Sequence, residues 1–451
     1  MEILAVLEKQ LRKSESLFEV EQLILKAVLN LAQEIMKCFL ENLDDKLMKD
    51  SSNDYQVINL QPRTINFCFG PVTFQRRYYK DQGFYLDNEL KIKPRKRLSA
   101  YFTLMMAKIA QTTTMRNTAN ILNMFFDSGI SVDSVMKAVH QLGPKVYQKT
   151  IANENQNKKR KVPQNLVIEG DAVSIKIKNH YESVHHYQIY EHYNGKKHNC
   201  RNFFSLGSHE KVETRVREYL DVHYRLNNQT IFLGSDAGPG YEPYKMLELV
   251  PIQAHEEYIL DRYHCLRKIE NTMGQHEFLT CKAINAVKNH NKEKLTLILD
   301  TYEAQDLTAK QREDLARLRA YLNRNWNYIP TANKRGYCDA GNLGSIESSH
   351  RALTYRMKKQ GKVWSKRGAE AMISLIEARV NHELGNSLES ILKEVTALPK
   401  TANFNLETNS EIVRSLFKKV KSPSKGTFNG KIQVDAPTTS YIGRIAKYYN
   451  Q

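Results

Sequence analysis

The chain has 451 residues, a formal net charge of +18 and a hydrophobic fraction of 41%. That apolar content is enough for folded cores, and the length suggests about three domains. The basic excess predicts a polyanionic partner, nucleic acid first and a membrane surface second, although an ordinary basic protein has the same balance. The six cysteines include no CxxC pair, which argues against a zinc ribbon or a disulfide framework and favours a reducing cytoplasm. No apolar run is long enough to cross a membrane, and no signal peptide is recognisable, so no membrane association is expected.

The first hundred residues combine a helical region with a β region. An apolar stripe at steps of three and four over residues 25–43 predicts a long amphipathic helix, which either packs on the protein's own core or mediates self-association. Residues 63–79 contain two β segments on either side of Gly70-Pro71 and predict a hairpin. Arg76 and Arg77 make its second arm basic, which suits a nucleic-acid surface or an ordinary half-exposed hairpin.

Residues 100–142 return to helical periodicity. Three helices are predicted, the last capped by Ser131 and ended by Gly143-Pro144. A glycine turn before the last helix matches a helix-turn-helix, and equally a structural three-helix module. The residues that the last helix would offer to a DNA groove are Ser134, Lys137, His140 and Gln141. A polar linker follows, whose basic residues would attract phosphate and are Lys158, Lys159, Arg160 and Lys161.

The order of segments after residue 164 predicts an α/β core. Three strands, a helix, a strand, a helix and a final strand follow one another, which is the order of an RNase H-like core with a mixed five-stranded sheet. A helical, charged stretch from about residue 262 to 333 indicates an insertion into that core. The predicted regions are N-terminal amphipathic helices at 1–50, a small β region with the basic hairpin at 51–98, a helix-turn-helix at 99–150, a basic linker at 151–163, the first segment of the core at 164–268, the helical insertion at 269–335, the second segment of the core at 336–384 and a basic, weakly ordered tail at 385–451.

Three carboxylates in this core suggest a metal site. Asp171 interrupts a buried strand, where a charge is costly unless it is paired or binds a cation. In an RNase H-like core the first and fourth strands are adjacent and parallel, so Asp236, at the end of the fourth, would face the same edge. Glu347, at a helix start, would complete the set of hard oxygen ligands that two-metal phosphoryl chemistry needs. Taken singly, an aspartate at a strand end is usually a turn residue. A glutamate in the first turn of a helix usually stabilises the helix by its interaction with the helix dipole.

Alternatives remain open around this site. Asp261 also ends an apolar strand and rivals Asp236 for the second ligand position. His264 and Cys265 could form a zinc pair, although helix-start residues at the edge of the site are the simpler interpretation. His264 and Arg351 either touch DNA or merely pack, and His350 counts among the auxiliary residues of the site.

Several of these motifs also carry a family resemblance. The residues concerned are Arg63-Thr64, Phe69 to Tyr79, Ile168-Glu169-Gly170-Asp171, Ser235-Asp236, Leu260 to His264, Ile346-Glu347, His350, Arg356-Met357 and Trp364-Ser365. Over about residues 1–385 the chain resembles bacterial transposases of the ISLre2 insertion-sequence family, also described as UPF0236 proteins. The resemblance implies a DDE transposase with Asp171, Asp236 and Glu347 as catalytic and metal-binding triad. The family often has Gly-Asp-Gly around its second aspartate, where this chain has Ser235-Asp236-Ala237.

The expected function is therefore DNA transposition in the bacterial cytoplasm, in association with the nucleoid. The expected enzyme uses Mg²⁺, or Mn²⁺ in its place, to cleave strands at terminal inverted repeats and to join them to target DNA. Its expected partners are double-stranded DNA and further copies of the chain. The main alternative is a non-catalytic DNA-binding protein, either a repressor or a decayed transposase, and a third is a stand-alone RNase H-like nuclease.

Overall fold

The computed structural model describes residues 7–8, 10–50, 55–126, 128–156, 159–227, 229–252, 254–337, 343–359, 361–396 and 398. These residues fall into two compact units. The first takes in the described residues of Met1–Pro62, Phe74–Glu89 and Leu398–Gln451, and the second those of Arg63–Thr73 and Leu90–Ala397. No helix in the described regions of the chain has both the length and the apolar character that a membrane crossing requires.

The first unit is built on one long helix, α1 (Leu17–Asp50). Its C-terminal half supplies buried leucines, whereas Leu17 and Phe18 near its start are exposed. The strands β1 (Val57–Phe67) and β2 (Gly70–Tyr79) form a two-stranded sheet at the position predicted for the hairpin, and the part of it next to the turn, Arg63–Thr73, is assigned to the second unit. A short helix, α2 (Tyr85–Glu89), follows.

Three helices open the main body of the second unit: α3 (Ala100–Ala110), α4 (Met115–Phe126) and α5 (Val132–Glu154). Ser131 caps α5 as predicted, because its hydroxyl accepts a hydrogen bond from the Ser134 amide. The predicted end of this helix at Gly143-Pro144 is wrong, since α5 continues to Glu154. A Cβ on Gly143 would lie 2.6 Å from the Cα of Ala371, so the glycine serves close helix packing and not helix termination.

A five-stranded mixed sheet forms the centre of the second unit. Its strands are β3 (Leu166–Ile177), β4 (His180–Tyr193), β5 (Lys196–Leu206), β6 (Thr230–Ser235) and β7 (His255–Leu260). The spatial order is β5-β4-β3-β6-β7, with β4 antiparallel to both of its neighbours and with β3, β6 and β7 parallel. The predicted mixed five-stranded sheet is confirmed, and its order is consistent with an RNase H-like core.

Helices cover both faces of this sheet, which explains the continuous apolar runs in β3 and β6. Leu166 and Ile168 of β3 pack with residues of α6 (His209–His223), whereas Val173 and Ile175 pack with α13 (Lys366–Val380) on the opposite face. Because side chains alternate along a strand, Asp171 belongs to the face that α13 covers.

The connections after β6 and β7 are helical. A short helix, α7 (Pro243–Leu247), links β6 to β7. Four helices then follow β7: α8 (Arg262–Met273), α9 (Glu277–Lys288), α10 (Lys292–Glu303) and α11 (Ala309–Asn325). They share an apolar cluster that includes Leu295, Leu315 and Trp326. The helical character predicted for this stretch is therefore present.

The chain returns to the sheet with α12 (Ile346–Leu353), a π-helical turn at Thr354–Lys358, and α13. One further helix, α14 (Leu384–Val395), corrects the prediction of a weakly ordered tail from residue 385. Its residues Leu384, Leu388 and Ile391 stand at steps of three and four and are buried in the cluster that contains α3, α5 and α13. The rest of the predicted tail, from residue 399, lies outside the described residues.

Candidate active site

Asp171 lies in the middle of β3, opposite His186 of β4. Its Oδ1 accepts a hydrogen bond of 2.7 Å from the Ala172 amide, and its Oδ2 lies 3.3 Å from Nδ1 of His350. Burial raises the pKa of Asp171 to about 6, and the negative charges of Asp236 and Asp261 add to that rise. Asp171 is therefore a carboxylate whose charge is only partly compensated by the protein.

Asp236 directly follows β6, the parallel neighbour of β3. Its Oδ1 accepts a hydrogen bond of 2.7 Å from the Gly238 amide, and its Oδ2 lies 3.5 Å from Nζ of Lys268. The next residue, Ala237, has a φ of +53°, the left-handed region that glycine adopts most easily. The departure from the family's Gly-Asp-Gly thus places an alanine in a strained backbone position beside the site.

Asp261 directly follows β7 and caps α8. Its side chain accepts hydrogen bonds from the amides of Tyr263 (2.8 Å) and His264 (3.3 Å), and its Oδ2 lies 3.0 Å from the His264 Nδ1. Burial alone would raise the pKa of Asp261, but the hydrogen bonds and charge of His264 outweigh it and lower that pKa. The negative charges of Asp261 and Asp236 both raise the pKa of Asp171, and Asp236 contributes more than Asp261.

His264 stands among these three aspartates. Its hydrogen bond to Asp261 raises its pKa, and the charges of Asp171 and Asp236 add to the effect. The next residue, Cys265, is fully buried in the helical cluster, and burial raises the pKa of its thiol to about 12. A zinc pair is not supported, because the Cys265 thiol packs in the apolar cluster whereas the His264 ring contacts Asp261.

Glu347 lies in the first turn of α12 with its side chain exposed. His350, three residues further on, is buried against Asp171, and burial lowers its pKa to about 4. Arg351 is exposed. Across the described ranges, no three histidine, cysteine, aspartate or glutamate side chains are grouped so as to hold a metal ion. The helix that carries Glu347 therefore contacts Asp171 through His350. The three predicted ligands, Asp171, Asp236 and Glu347, are not gathered around one point.

The donor chemistry nevertheless suits a hard cation. Asp171 and Asp236 offer carboxylate oxygens, which Mg²⁺ prefers, and Mg²⁺ commonly uses only one or two carboxylates together with water. The raised pKa of Asp171 shows negative charge that a cation would stabilise. These two residues fit a magnesium ion by donor type.

One residue of the site escaped the sequence predictions. Glu169, almost fully buried on β3, accepts hydrogen bonds at the start of α12 from the amides of Gly344 (2.6 Å), Ser345 (3.2 Å) and Ile346 (2.8 Å) and from the Ser345 hydroxyl (2.6 Å). Tyr190 Oη donates a further bond of 3.3 Å. The available signal was its spacing, because a carboxylate two residues before Asp171 lies on the same face of the strand.

The hairpin arginines do not form the predicted basic surface. Arg76 is buried, pairs with Asp87 and lies over the ring of Phe84, 3.4 Å from its centroid. Arg77 pairs with Asp44 and Asp45, each at 2.7 Å. The prediction that these two side chains face nucleic acid is corrected, because both neutralise acidic residues of the first unit.

Several of the other residues that were predicted to bind DNA are exposed. On α5, Lys137 and Gln141 are exposed, although Lys137 pairs with Asp133 at 2.6 Å, while Ser134 and His140 are half-buried. In the linker, the exposed basic residues are Lys159, Arg160 and Lys161. Lys158 lies outside the described residues.

Comparisons with known proteins confirm the UPF0236 part of the family resemblance. The chain is 28% identical over 461 residues to a UPF0236 protein in the vanSb 3′ region of Streptococcus gallolyticus, covering 99% of this chain and 100% of that protein. Among solved structures, the Drosophila P element transposase strand transfer complex matches with a TM-score of 0.25 and 9% identity, over 72% of this chain and 88% of the other. The uncharacterised protein family UPF0236 matches residues 11–390. The chain belongs to the UPF0236 family.

Proposed function

We propose that this chain is the DNA transposase of a bacterial insertion sequence, with an RNase H-like core that cleaves DNA strands at terminal inverted repeats and transfers them to target DNA. The observation that carries the proposal is the placement of Asp171 and Asp236 on adjacent parallel strands, close enough for the charge of one to raise the pKa of the other. Paired carboxylates at one sheet edge are the protein's contribution to metal-dependent phosphoryl transfer.

Asp171 and Asp236 would hold Mg²⁺. Glu347 is exposed at the start of α12 and would serve as the third ligand only after its side chain turns toward these two carboxylates. Bound there, the metal supplies activation of the attacking oxygen and stabilisation of the leaving oxygen. Lys268, 3.5 Å from Asp236, holds that carboxylate at the end of β6. His350 contacts Asp171 from α12, with its Nδ1 3.3 Å from Oδ2.

The exposed cations Lys159, Arg160 and Lys161 support a DNA partner, because a net charge of +18 attracts phosphate and these three side chains lie in the linker before β3, the strand that carries Asp171. The proposed assembly on DNA contains more than one copy of the chain.

The deciding experiment measures Mg²⁺-dependent cleavage of DNA that contains the element's ends. Asp171→Asn and Asp236→Asn should lose cleavage by several orders of magnitude, since each removes a charged oxygen ligand. Both should still bind the terminal repeats. Asp221→Asn, on the exposed side of α6, is the matched control and should cleave like the unaltered chain. Cleavage by Asp171→Asn at the normal rate would contradict the assignment.

One observation favours the second candidate, a non-catalytic DNA-binding protein. Glu347 is exposed, and in the regions of the chain that the structure describes no group of three ligands is formed. If the unaltered chain binds end-containing DNA but releases no cleaved strand with Mg²⁺ or Mn²⁺, this second function is correct. Strand-transfer products would exclude both it and a stand-alone nuclease.

A further inference from the structure

We infer that Glu169 is a positioning residue, a buried carboxylate that fixes the start of α12, and with it Glu347 and His350, on the strand that carries Asp171. The evidence for this structural role is the set of contacts that Glu169 makes. Its consequence for metal binding and cleavage rests on the proposed function.

The two oxygens of Glu169 divide the donors between them. Oε1 accepts from the Gly344 and Ser345 amides and from Tyr190, whereas Oε2 accepts from the Ser345 hydroxyl and the Ile346 amide. The first amides of a helix have no partners within the helix and need an acceptor. Here the acceptor comes from β3, 175 residues before Gly344 in the chain. The start of α12 is thus tied to the sheet and not merely capped by its own loop.

Both oxygens must be acceptors for this arrangement to form. A glutamine in the same place would present one oxygen and one NH₂ group, and the NH₂ group would face N–H or O–H donors. An aspartate would keep the charge but would be one methylene shorter and could not reach all the donors. Charge and reach can therefore be tested separately.

A second polar side chain ties the same helix to β4. Gln188 Nε2 donates to the Ser349 hydroxyl at 2.6 Å and to Asn202 Oδ1 at 2.9 Å, and its Oε1 lies 3.0 Å from the Ser345 hydroxyl. Gln188 is the strand partner of Glu169 in the β3–β4 register. Two neighbouring positions of the sheet thus hold the first turn of α12.

The contacts between β3 and α12 are spaced as the periodicities of a strand and a helix require. Glu169 and Asp171 are two residues apart on β3 and share a face, while Ile346 and His350 are four residues apart on α12. Glu169 contacts the first of these helical residues and Asp171 the second. Glu347 lies between the two contact points, so its backbone position relative to Asp171 is set at both ends.

The test uses the full chain and four variants. Glu169→Gln replaces one acceptor oxygen of the β3 carboxylate, and Glu169→Asp shortens its side chain. Ser345→Ala removes one donor at the start of α12 and is a milder change. Glu191→Gln is the matched control, because Glu191 is a buried carboxylate of β4 whose partners include Tyr224 and Asn199. Amide hydrogen exchange over residues 343–353 is measured without metal, and Mg²⁺ binding to the DNA-bound protein is measured by calorimetry.

Both Glu169 variants should speed exchange at the amides of residues 344–346 and raise the Mg²⁺ midpoint by about 10- to 100-fold, the usual effect of losing a residue that orients a metal ligand. Ser345→Ala should show a smaller change in the same direction. Cleavage at saturating Mg²⁺ should recover more fully than cleavage at low Mg²⁺.

Two results would overturn the inference. These are unchanged exchange at residues 344–346 in both Glu169 variants, and acceleration that spreads over the whole sheet and is matched by Glu191→Gln. Local acceleration in a chain that never cleaves DNA would support the positioning role and refute the proposed function, so the two failures are distinguishable.

Discussion

At the scale of single residues, the site is dominated by a carboxylate that the fold holds at an energetic cost. The pKa of Asp171 rises from 3.8 to about 6 because of burial and because Asp236 and Asp261 are negative. An acid that binds its proton more tightly in the folded state contributes stability that is fully present below pH 3.8 and lost as the pH rises to about 6. At neutral pH the ionised side chain therefore destabilises the metal-free protein.

Asp171→Asn should consequently stabilise the metal-free chain. The gain in the free energy of unfolding should be small at pH 4, grow as the pH rises, and level off above pH 6 at about 1–3 kcal/mol. Urea unfolding at pH 4, 5, 6 and 7.5 measures it. Asp221→Asn, which removes an exposed carboxylate of α6, is the control. A gain that does not change with pH would mean that the charge of Asp171 is compensated.

Magnesium should reverse this order of stability. An ion that binds the folded state alone stabilises by mass action, by about 2.7 kcal/mol at a hundredfold excess over its dissociation constant. The unaltered chain should show a higher unfolding midpoint with Mg²⁺, and Asp171→Asn should not respond. Sodium chloride at equal ionic strength separates site binding from screening. Equal responses of both proteins to Mg²⁺ would place the ion elsewhere.

At the scale of elements, the sequence predicted the sheet well because strand alternation and apolar runs are local signals. The strands, their succession along the chain and the helix with Glu347 followed from that pattern, and the adjacent places of β3 and β6 followed from the RNase H-like order. The features that the sequence did not predict depend on tertiary contacts. Gly143-Pro144 looked like a helix end, but α5 continues through it to pack on Ala371. Local sequence likewise could not show that Arg76 has a buried acidic partner.

The crossing of α5 and α13 gives a sharp test of that packing. A Cβ on Gly143 would meet backbone atoms of Ala371 at 2.5–2.6 Å, which no side-chain rotation relieves. Gly143→Ala should therefore lower the free energy of unfolding by about 1–3 kcal/mol, despite the better helix propensity of alanine. Gly385→Ala in α14 is the control, because its Cβ would meet only the flexible end of Lys108, at 3.8 Å.

Denaturant unfolding of both variants provides the measurement. Gly385→Ala should be neutral or stabilising by up to about 1 kcal/mol, since alanine is favoured over glycine within a helix. If Gly143→Ala gained stability as well, the two helices would be further apart than the structure shows.

At the scale of the whole molecule, some basic side chains are buried in ion pairs and cannot contact a partner. Arg201 and Arg215 are buried with Glu154, and Arg215 also pairs with Glu377. Arg76 is likewise used inside the first unit. The net charge of +18 therefore describes the strength of long-range attraction to DNA, whereas contact with DNA depends on where exposed cations are concentrated.

The linker before β3 is such a concentration, and its role can be separated from that of net charge. Replacing Lys159, Arg160 and Lys161 by alanine should weaken DNA binding and reduce the slope of log affinity against log salt by about 1–3, since each phosphate contact contributes about 0.9. The control replaces three exposed lysines of the helical segment, Lys292, Lys294 and Lys310, by alanine and removes the same charge. Fluorescence anisotropy with end-containing DNA from 50 to 300 mM salt, on the order of the range over which such contacts are lost, measures both slopes. A flatter slope in the linker variant alone would place DNA phosphates beside the strand that carries Asp171. Equal slopes in the two variants would show that the linker contributes only to the overall field, and DNA contact would then have to be sought on the exposed face of α5.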